Sequence, residues 1–345
     1  MSSSTVQASA EANFVSLQVR EVVRETADAN SFVFDVPGEL AGEFSYQAGQ
    51  FVTVRPVIDG RPVQRCYSMS SAPAVDSSLR VTVKRVAGGP VSNWLADNLA
   101  AGDRLEVSRP GGRFVLRPGL ADVVAFAGGS GITPVLSILK TVLATTDRNA
   151  ALYYANRDAG GVIFAGELAE LARRYGQRLT VVHHYDAEQG FLDRDRVRGF
   201  AAGRAGAEFY VCGPAQFMEL VEQGLAVAGV PADRVHVERF TIATGGEELP
   251  GAAAAPCELT VEIGGRRATA NVRPGQTLLM TARAAGLPAP YSCELGTCGT
   301  CMARVVEGDV VLKNDEVLTA DEVEEGWILM CQAIPTTASV HVVYE

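Results

Sequence analysis

DVVAFAGGSGITPVLSIL, residues 122–139, is the stretch that decides the fold. A short apolar run leads into Gly128, Gly129, Ser130 and Gly131, and then into an apolar helical repeat whose first turn carries Pro134. The order is strand, turn, helix. Proline is favourable in a first helical turn because the N–H it lacks has no intrahelical partner there. Glycines directly before a helix let the chain turn sharply and leave N–H groups, with roughly half a positive charge, facing whatever lies beyond. The stretch follows G-x-G-x-x-G with Pro134 in the place of the third glycine. Gly128, Gly129, Gly131, Thr133 and Pro134 therefore suit a nicotinamide dinucleotide laid at the C-terminal edge of a parallel sheet.

Downstream the same alternation repeats through ALYYA, GELAELARRY, LTVVHH, EFYVC, FMELVEQGLAVAG and VHVE. Such alternation predicts a parallel sheet with helices on both faces. Upstream the pattern is different: FVSLQV, SFVFDV, QFVTVRP, LRVTVKRV and DRLEVSR are short strands parted by Gly, Pro and Asp turns. They predict a small antiparallel barrel. Residues 241–256, TIATGGEELPGAAAAP, have no periodicity and read as a semi-flexible linker. Beyond it CELTVEI, RRATANV, QTLLMTARAAG, WILMCQ and ASVHVVYE make a mixed β and α domain. The expected division is a frayed tail (1–13), a barrel (14–118), a dinucleotide domain (119–240), the linker (241–256) and a C-terminal domain (257–345).

That last domain carries Cys293, Cys298, Cys301 and Cys331 in the pattern C-x4-C-x2-C-x29-C. The first three spacings are those of plant-type ferredoxins, whose thiolates hold a 2Fe-2S cluster. Gly296 and Gly299 let the loop curl so that backbone N–H groups approach the sulfurs. A zinc site would more usually present two separated C-x2-C pairs. The other cysteines, Cys66, Cys212 and Cys257, bring the total to an odd seven, which argues against a disulfide framework and for a reducing compartment.

The chain has 345 residues and is 47% hydrophobic, enough for two or three cores. No apolar run approaches the ~18 residues of a membrane span, and MSSSTVQASAEANF lacks the basic and apolar regions of a signal peptide. A soluble, cytoplasmic protein is expected. Of the net charge of −10, residues 257–345 contribute −6, from 12 acidic and 6 basic residues. An acidic domain is a poor nucleic-acid binder and a plausible docking face for a basic partner; Glu294, Asp321, Glu322, Glu324 and Glu325 are the candidates. His183, His184, His236 and His341 show no ligand spacing and read as structural or exposed.

In the barrel, Arg65-Cys66-Tyr67-Ser68 ends a strand, and Gly88-Gly89-Pro90-Val91-Ser92 opens the short helix NWLADNL. The glycines form an anion site at a helix start, and Arg65 could clamp a pyrophosphate. These residues resemble the flavin-binding barrel of the ferredoxin-NADP reductase superfamily. The resemblance implies that Tyr67 lies against the isoalloxazine ring, Ser68 near its reactive nitrogen, Arg65 and Ser92 on the phosphates, and Val83 beside the ring. Gly-Pro-Val before Ser92 departs from many members and leaves FAD against FMN open. The resemblance also implies that Cys212-Gly213-Pro214 flanks the nicotinamide opposite GGSGITP, with Cys212 and Ser68 close to the transferred hydride.

Barrel, dinucleotide domain and a β-grasp ferredoxin domain, in that order, are similar to the reductase components of bacterial oxygenases. SNWLADN, YANRDAGGVIFAGELAEL, VHVERF and EGWILMCQA are most similar to the reductase family of Rieske 3-ketosteroid 9α-hydroxylases. The implied path runs from NADH to FAD, to the 2Fe-2S cluster, and on to a terminal oxygenase or ferredoxin. Asn156-Arg157-Asp158 follows the second parallel strand, and Asp158 is expected to accept from the free 2′-hydroxyl of NADH. A reductase for another client, such as a di-iron epoxidase or a hybrid-cluster protein, and a redox-sensing protein without turnover remain as alternatives.

Overall fold

The structure is a computed structural model and describes residues 14–240 and 257–344, except 288, 292, 293, 295, 297, 298 and 314–316. Residues 16–110 and 114–240 form one compact unit. Its first part is a six-stranded sheet of β1 (Phe14–Arg24), β2 (Ala29–Asp35), β3 (Phe51–Val54), β4 (Arg65–Ser68), β5 (Leu79–Lys84) and β6 (Arg104–Ser108). The strand order is β4-β3-β6-β1-β2-β5, and a bridge between Met69 and Val81 joins the two ends of that order into a barrel. Strand β1 outruns the apolar segment FVSLQV because a bulge between Val19 and Glu21 lets its backbone keep pairing with β2 as far as Arg24, whatever its side chains. Helix α1 (Pro90–Asn98) starts after Gly89, with Pro90 in its first turn, and buries Val91, Ser92 and Leu95.

The second part is a five-stranded sheet of β7 (Val123–Gly128), β8 (Ala150–Asn156), β9 (Leu179–Tyr185), β10 (Glu208–Cys212) and β11 (Val235–Glu238). All pairings are parallel, in the order β9-β8-β7-β10-β11. The order reverses between β7 and β10, and ligands of such sheets bind at the carboxyl ends of the strands at that switch. Around it lie α2 (Ile132–Thr145), α3 (Ala165–Tyr175), α4 (Arg194–Ala201) and α5 (Ala215–Val227). Helix α2 buries eleven of its fourteen residues, so it has neighbours on more than one side, unlike a surface helix with a single apolar stripe. Helix α4 has no counterpart in the apolar periodicity, since only Val197 and Ala201 are buried; its start is set by Asp193, whose side chain accepts from the Arg196 N–H at 2.8 Å.

The C-terminal unit contains β12 (Cys257–Ile263), β13 (Arg266–Val272), α6 (Leu278–Ala284), β14 (Met302–Glu307), β15 (Val310–Leu312), α7 (Ala320–Glu324), β16 (Trp327–Leu329), β17 (Ala333–Pro335) and β18 (Ser339–Tyr344). The main sheet runs β13-β12-β18-β14-β16, with β18 parallel to β12, and β15 and β17 form a separate pair. Leu259, Val261, Leu278, Ala282, Ala303 and Val340 make its core, with α6 packed on the sheet. Among the described residues no helix is long and apolar enough to cross a membrane.

Candidate functional site

The flavin motif lies on one wall of the barrel. Residues Arg65 to Ser68 pair with Val54 to Phe51 across β3, and the Met69–Val81 bridge brings the same strand beside β5, which carries Val83. Ser68 and Val83 are buried, and burial pushes the Tyr67 phenol up, so the ring stays neutral. The loop before α1 is held by its own side chains. The Val86 N–H donates to Ser92 Oγ at 3.1 Å, and Asn93 Nδ2 donates to the carbonyls of Val86 and Gly89 at 3.0 and 2.8 Å. Gly89 is required by packing, because a Cβ there would lie 2.8 Å from Ser92 Oγ. No side chain caps α1, so its N-terminal end suits the phosphate of a flavin nucleotide.

The two dinucleotide motifs, 84 residues apart from Gly128 to Cys212, meet at the switch point. A Cβ on Gly131 would lie 2.1 Å from the Cys212 carbonyl oxygen, and one on Gly128 would lie 2.9 Å from Pro214 Cδ. A Cβ on Gly213 would lie 3.0 Å from the Gly128 nitrogen. The two loops are therefore in backbone contact. Gly129 adopts φ 53, and its carbonyl accepts from the Tyr154 hydroxyl at 3.0 Å. Thr133 Oγ1 donates to the Ser130 carbonyl at 3.0 Å. Cys212 is fully buried, and burial raises its thiol well above the ordinary range, so it stays protonated.

Beside this crossing is a cavity of about 490 Å³ bounded by Lys84, Gly128, Gly129, Asn156, Pro214 and Phe217, with Arg157, Asp186 and Phe191 also on its wall. Asn156 is buried, and both its amide oxygen and nitrogen lack a hydrogen-bond partner. An orphaned donor and acceptor on the wall of a cavity of this size fit a dinucleotide. Asp158 does not line the cavity. It caps a short turn, accepting from the Gly161 N–H at 3.0 Å, and pairs with Arg157 at 3.0 Å, a contact that holds its carboxyl below the usual range. Asp186, just past β9, is the carboxylate on the wall. Asp186 and Lys84 are not apparent from the dinucleotide motifs because they come from other segments, the one just past β9 and the other at the end of β5.

In the C-terminal unit, Cys293 and Cys298 lie outside the described residues. Cys301 and Cys331 are buried, and the Met330 N–H donates to the Cys301 carbonyl at 3.1 Å, bringing the distant cysteine beside the third. Gln332 Nε2 lies 3.3 Å from Cys331 Sγ and 3.2 Å from the Glu294 carbonyl. The Tyr344 hydroxyl is buried without a partner, its phenol raised by burial and by the nearby Cys301 and Cys331. Donors turned toward paired thiols fit a cluster whose sulfurs need hydrogen bonds. Arg283 pairs with Glu294 at 2.6 Å and stacks on Tyr291 at 4.1 Å. Glu322 closes a capping box with Thr319 and pairs with Arg113, of the same unit, at 2.6 Å. Two of the five candidate docking carboxylates are thus neutralised locally.

None of the histidines lines the cavity. His184 is buried between the Tyr153 hydroxyl (3.1 Å) and the Gly190 carbonyl (2.9 Å), and His236 pairs with Glu208 at 2.8 Å. Burial lowers His183, whose ring stacks on Tyr185. His341 lies 3.7 Å from Glu262.

Three family models match successive parts of the chain: an oxidoreductase FAD-binding domain over residues 16–116, an oxidoreductase NAD-binding domain over 126–223, and a 2Fe-2S iron-sulfur cluster binding domain over 261–336. The ferredoxin reductase component of 3-ketosteroid-9-alpha-monooxygenase from Rhodococcus rhodochrous is 44% identical over 335 residues, covering 94% of this chain and 95% of the relative. A component of 1,2-phenylacetyl-CoA epoxidase from Escherichia coli is 32% identical and covers 96% and 98%. The structure of phthalate dioxygenase reductase matches with a TM-score of 0.63 at 26% identity, over 97% of this chain and 99% of that one. These matches settle FAD over FMN and agree with the three sites in their order along the chain. The protein belongs to the family of oxygenase reductase components, NADH-dependent oxidoreductases that join an FAD-binding barrel and an NAD-binding domain to a 2Fe-2S ferredoxin domain.

Proposed function

We propose that this chain supplies electrons to a Rieske-type 3-ketosteroid 9α-hydroxylase in the cytoplasm, where NADH is the donor. The observation that carries the reading is the 44% identity to the Rhodococcus reductase component along almost the whole of both chains. FAD held in the barrel would supply the exchange between the two-electron hydride of NADH and the single electrons that a 2Fe-2S cluster can accept.

The chain's own residues do the positioning. With FAD bound, Tyr67 and Val83 would wall the flavin ring, Ser68 would lie near its reacting edge, and Arg65, Gly89, Ser92 and the start of α1 would hold the phosphates. Gly128, Gly129, Gly131, Thr133 and Pro134 shape the dinucleotide loop, while Cys212, Gly213 and Pro214 form the opposite wall and exclude water from the transfer. Cys293, Cys298, Cys301 and Cys331 bind the cluster.

Asp186, rather than Asp158, carries the preference for NADH, because it is the carboxylate on the cavity wall and would repel a 2′-phosphate. Asp186→Asn should raise the NADPH to NADH ratio of kcat/KM about tenfold, which is about 1.4 kcal/mol, and Asp158→Asn should leave it unchanged. The opposite assignment of effects would reject Asp186.

The client is tested by pairing the purified reductase with purified oxygenases. NADH-driven 9α-hydroxylation of a 3-ketosteroid is expected at a higher kcat/KM for the reductase than epoxidation by the phenylacetyl-CoA system. A di-iron epoxidase served better than the steroid hydroxylase would overturn the assignment, and the 32% identity to the epoxidase component makes it the natural comparator.

A further inference from the structure

We propose that Ser137 and Lys140 of α2 are positioning residues that hold the nicotinamide loop in register with the flavin strand. The inference rests on the reading above, with flavin beside Ser68 and nicotinamide beside Gly128 to Pro134. Helix α2 begins at Ile132, inside the dinucleotide loop, so wherever α2 is held the loop is held. Residues three apart lie on one helix face. From that face Ser137 Oγ donates to the Ser71 carbonyl at 2.6 Å, and Lys140 Nζ bonds Asp76 at 2.7 Å and Glu167 at 2.5 Å.

All three bonds lead to the segment that follows Ser68, the one to Glu167 by way of Arg80. Ser71 is three residues beyond it, and Asp76 accepts from the Ala72 N–H at 2.6 Å. Glu167 accepts from Arg80 at 2.8 Å, and Arg80 in turn donates to the Ser70 carbonyl and Ser70 Oγ, each at 3.1 Å. Ser70 Oγ continues to Thr82 at 2.8 Å, and Thr82 to Ser31 at 2.7 Å. Ser71 is thus tied directly, Ala72 through Asp76, and Ser70 through Arg80 and Glu167, to the helix that carries the opposite reactant's loop.

Two cations, Lys140 and Arg80, face two carboxylates, Asp76 and Glu167, and a third, Glu25, ends the hydrogen-bond chain by accepting from Ser31 at 2.6 Å, its carboxyl raised by burial. Desolvating ions brings little net stability compared with apolar packing. What directional bonds add over apolar contacts is one preferred placement, and hydride transfer needs it. The hydride leaves C4 of the dihydronicotinamide with both bonding electrons and passes to the flavin, leaving NAD+. Reacting atoms must come within about 3–3.5 Å, and a displacement of about 1 Å can cost about 100-fold.

The test uses the holoprotein with FAD and cluster bound, in anaerobic stopped-flow mixing with NADH. Ser137→Ala and Lys140→Met should each lower the limiting rate of flavin reduction by about 10-fold or more, with the dissociation constant of a non-reactive tetrahydro-NADH changed less than about twofold. Long-wavelength charge-transfer absorbance of NAD+ on the reduced flavoprotein should weaken in both. Lys140→Arg, which can still reach both carboxylates, should recover most of the rate. Ser137→Ala removes only one hydroxyl, so it carries the test if Lys140→Met does not fold. Unchanged limiting rate and unchanged charge-transfer absorbance in a folded, FAD-replete Ser137→Ala protein would overturn the positioning role alone. No flavin reduction by NADH in the unaltered holoprotein would overturn the functional reading and this proposal with it.

Discussion

Gly131 of the dinucleotide loop and Gly299 of the cluster loop need glycine for opposite reasons. Gly131 has an ordinary helical φ of −61, and what it lacks is room, since a Cβ would fall 2.1 Å from the Cys212 carbonyl oxygen. Gly299 has φ 69, a conformation that side chains rarely adopt, and its nearest neighbour to a Cβ is the flexible Arg113 side chain at 3.0 Å. One glycine is demanded by contact and the other by backbone shape. The contrast follows the chemistry on each side. A hydride moves only between atoms held at contact distance, so its site is backbone pressed on backbone. A single electron asks only that its carrier be held and its charge tolerated, which calls for hydrogen-bond donors near the sulfurs rather than backbone pressed on backbone.

Separating the two halves gives the largest expected effect. Cys331→Ser should abolish the cluster and all electron delivery to cytochrome c or an oxygenase, while NADH-driven reduction of ferricyanide continues from the flavin. Visible absorbance and the two acceptor assays measure this directly. Loss of ferricyanide activity in a protein that keeps its FAD would show that the halves do not work in series.

The glycine contrast comes next. Gly131→Ala should destabilise by about 3 kcal/mol, at the upper end for overpacking because the obstacle is backbone, and NADH should no longer reduce the flavin. Gly299→Ala should cost only about 1–2 kcal/mol for the left-handed conformation. Chemical denaturation of the two holoproteins, alongside NADH assays, ranks them; equal costs would remove the distinction.

The smallest effect is a pH dependence at Cys212. Burial places its folded-state pKa well above that of an exposed thiol, so the stability this group contributes is complete below the unfolded pKa of about 8.5 and declines above it. Unfolding free energy should fall by about 1.4 kcal/mol per pH unit more steeply in the unaltered protein than in Cys212→Ala between about pH 9 and 10. The limiting rate of flavin reduction should show no limb near pH 8.5, because no thiolate takes part. A limb there that vanishes in Cys212→Ala would make the thiolate a participant.

Local chemistry was legible from the chain alone. GGSGITP and the spacing of Cys293, Cys298 and Cys301 point to a dinucleotide loop and a cluster within a few residues, because turns, helix starts and clustered ligands are short-range constraints, whereas Arg65 to Ser68 point to a flavin only through the family resemblance. Alternating and helical periodicities likewise separated barrel, parallel sheet and ferredoxin domain, though they passed over α4, whose apolar face is only Val197 and Ala201. What tertiary structure decided was which residues meet. Asp158 has the sequence position of a ribose ligand, yet it spends its carboxylate on a turn and on Arg157, while Asp186, 28 residues later, lines the cavity. Gly131 requires glycine because of Cys212, and Ser137 and Lys140 matter because of Ser71, Asp76 and Glu167. No periodicity encodes these pairings, since they arise where strand order reverses and one helix is buried on more than one side; residues distant along the chain then share a single site, and only the folded backbone sets their distances.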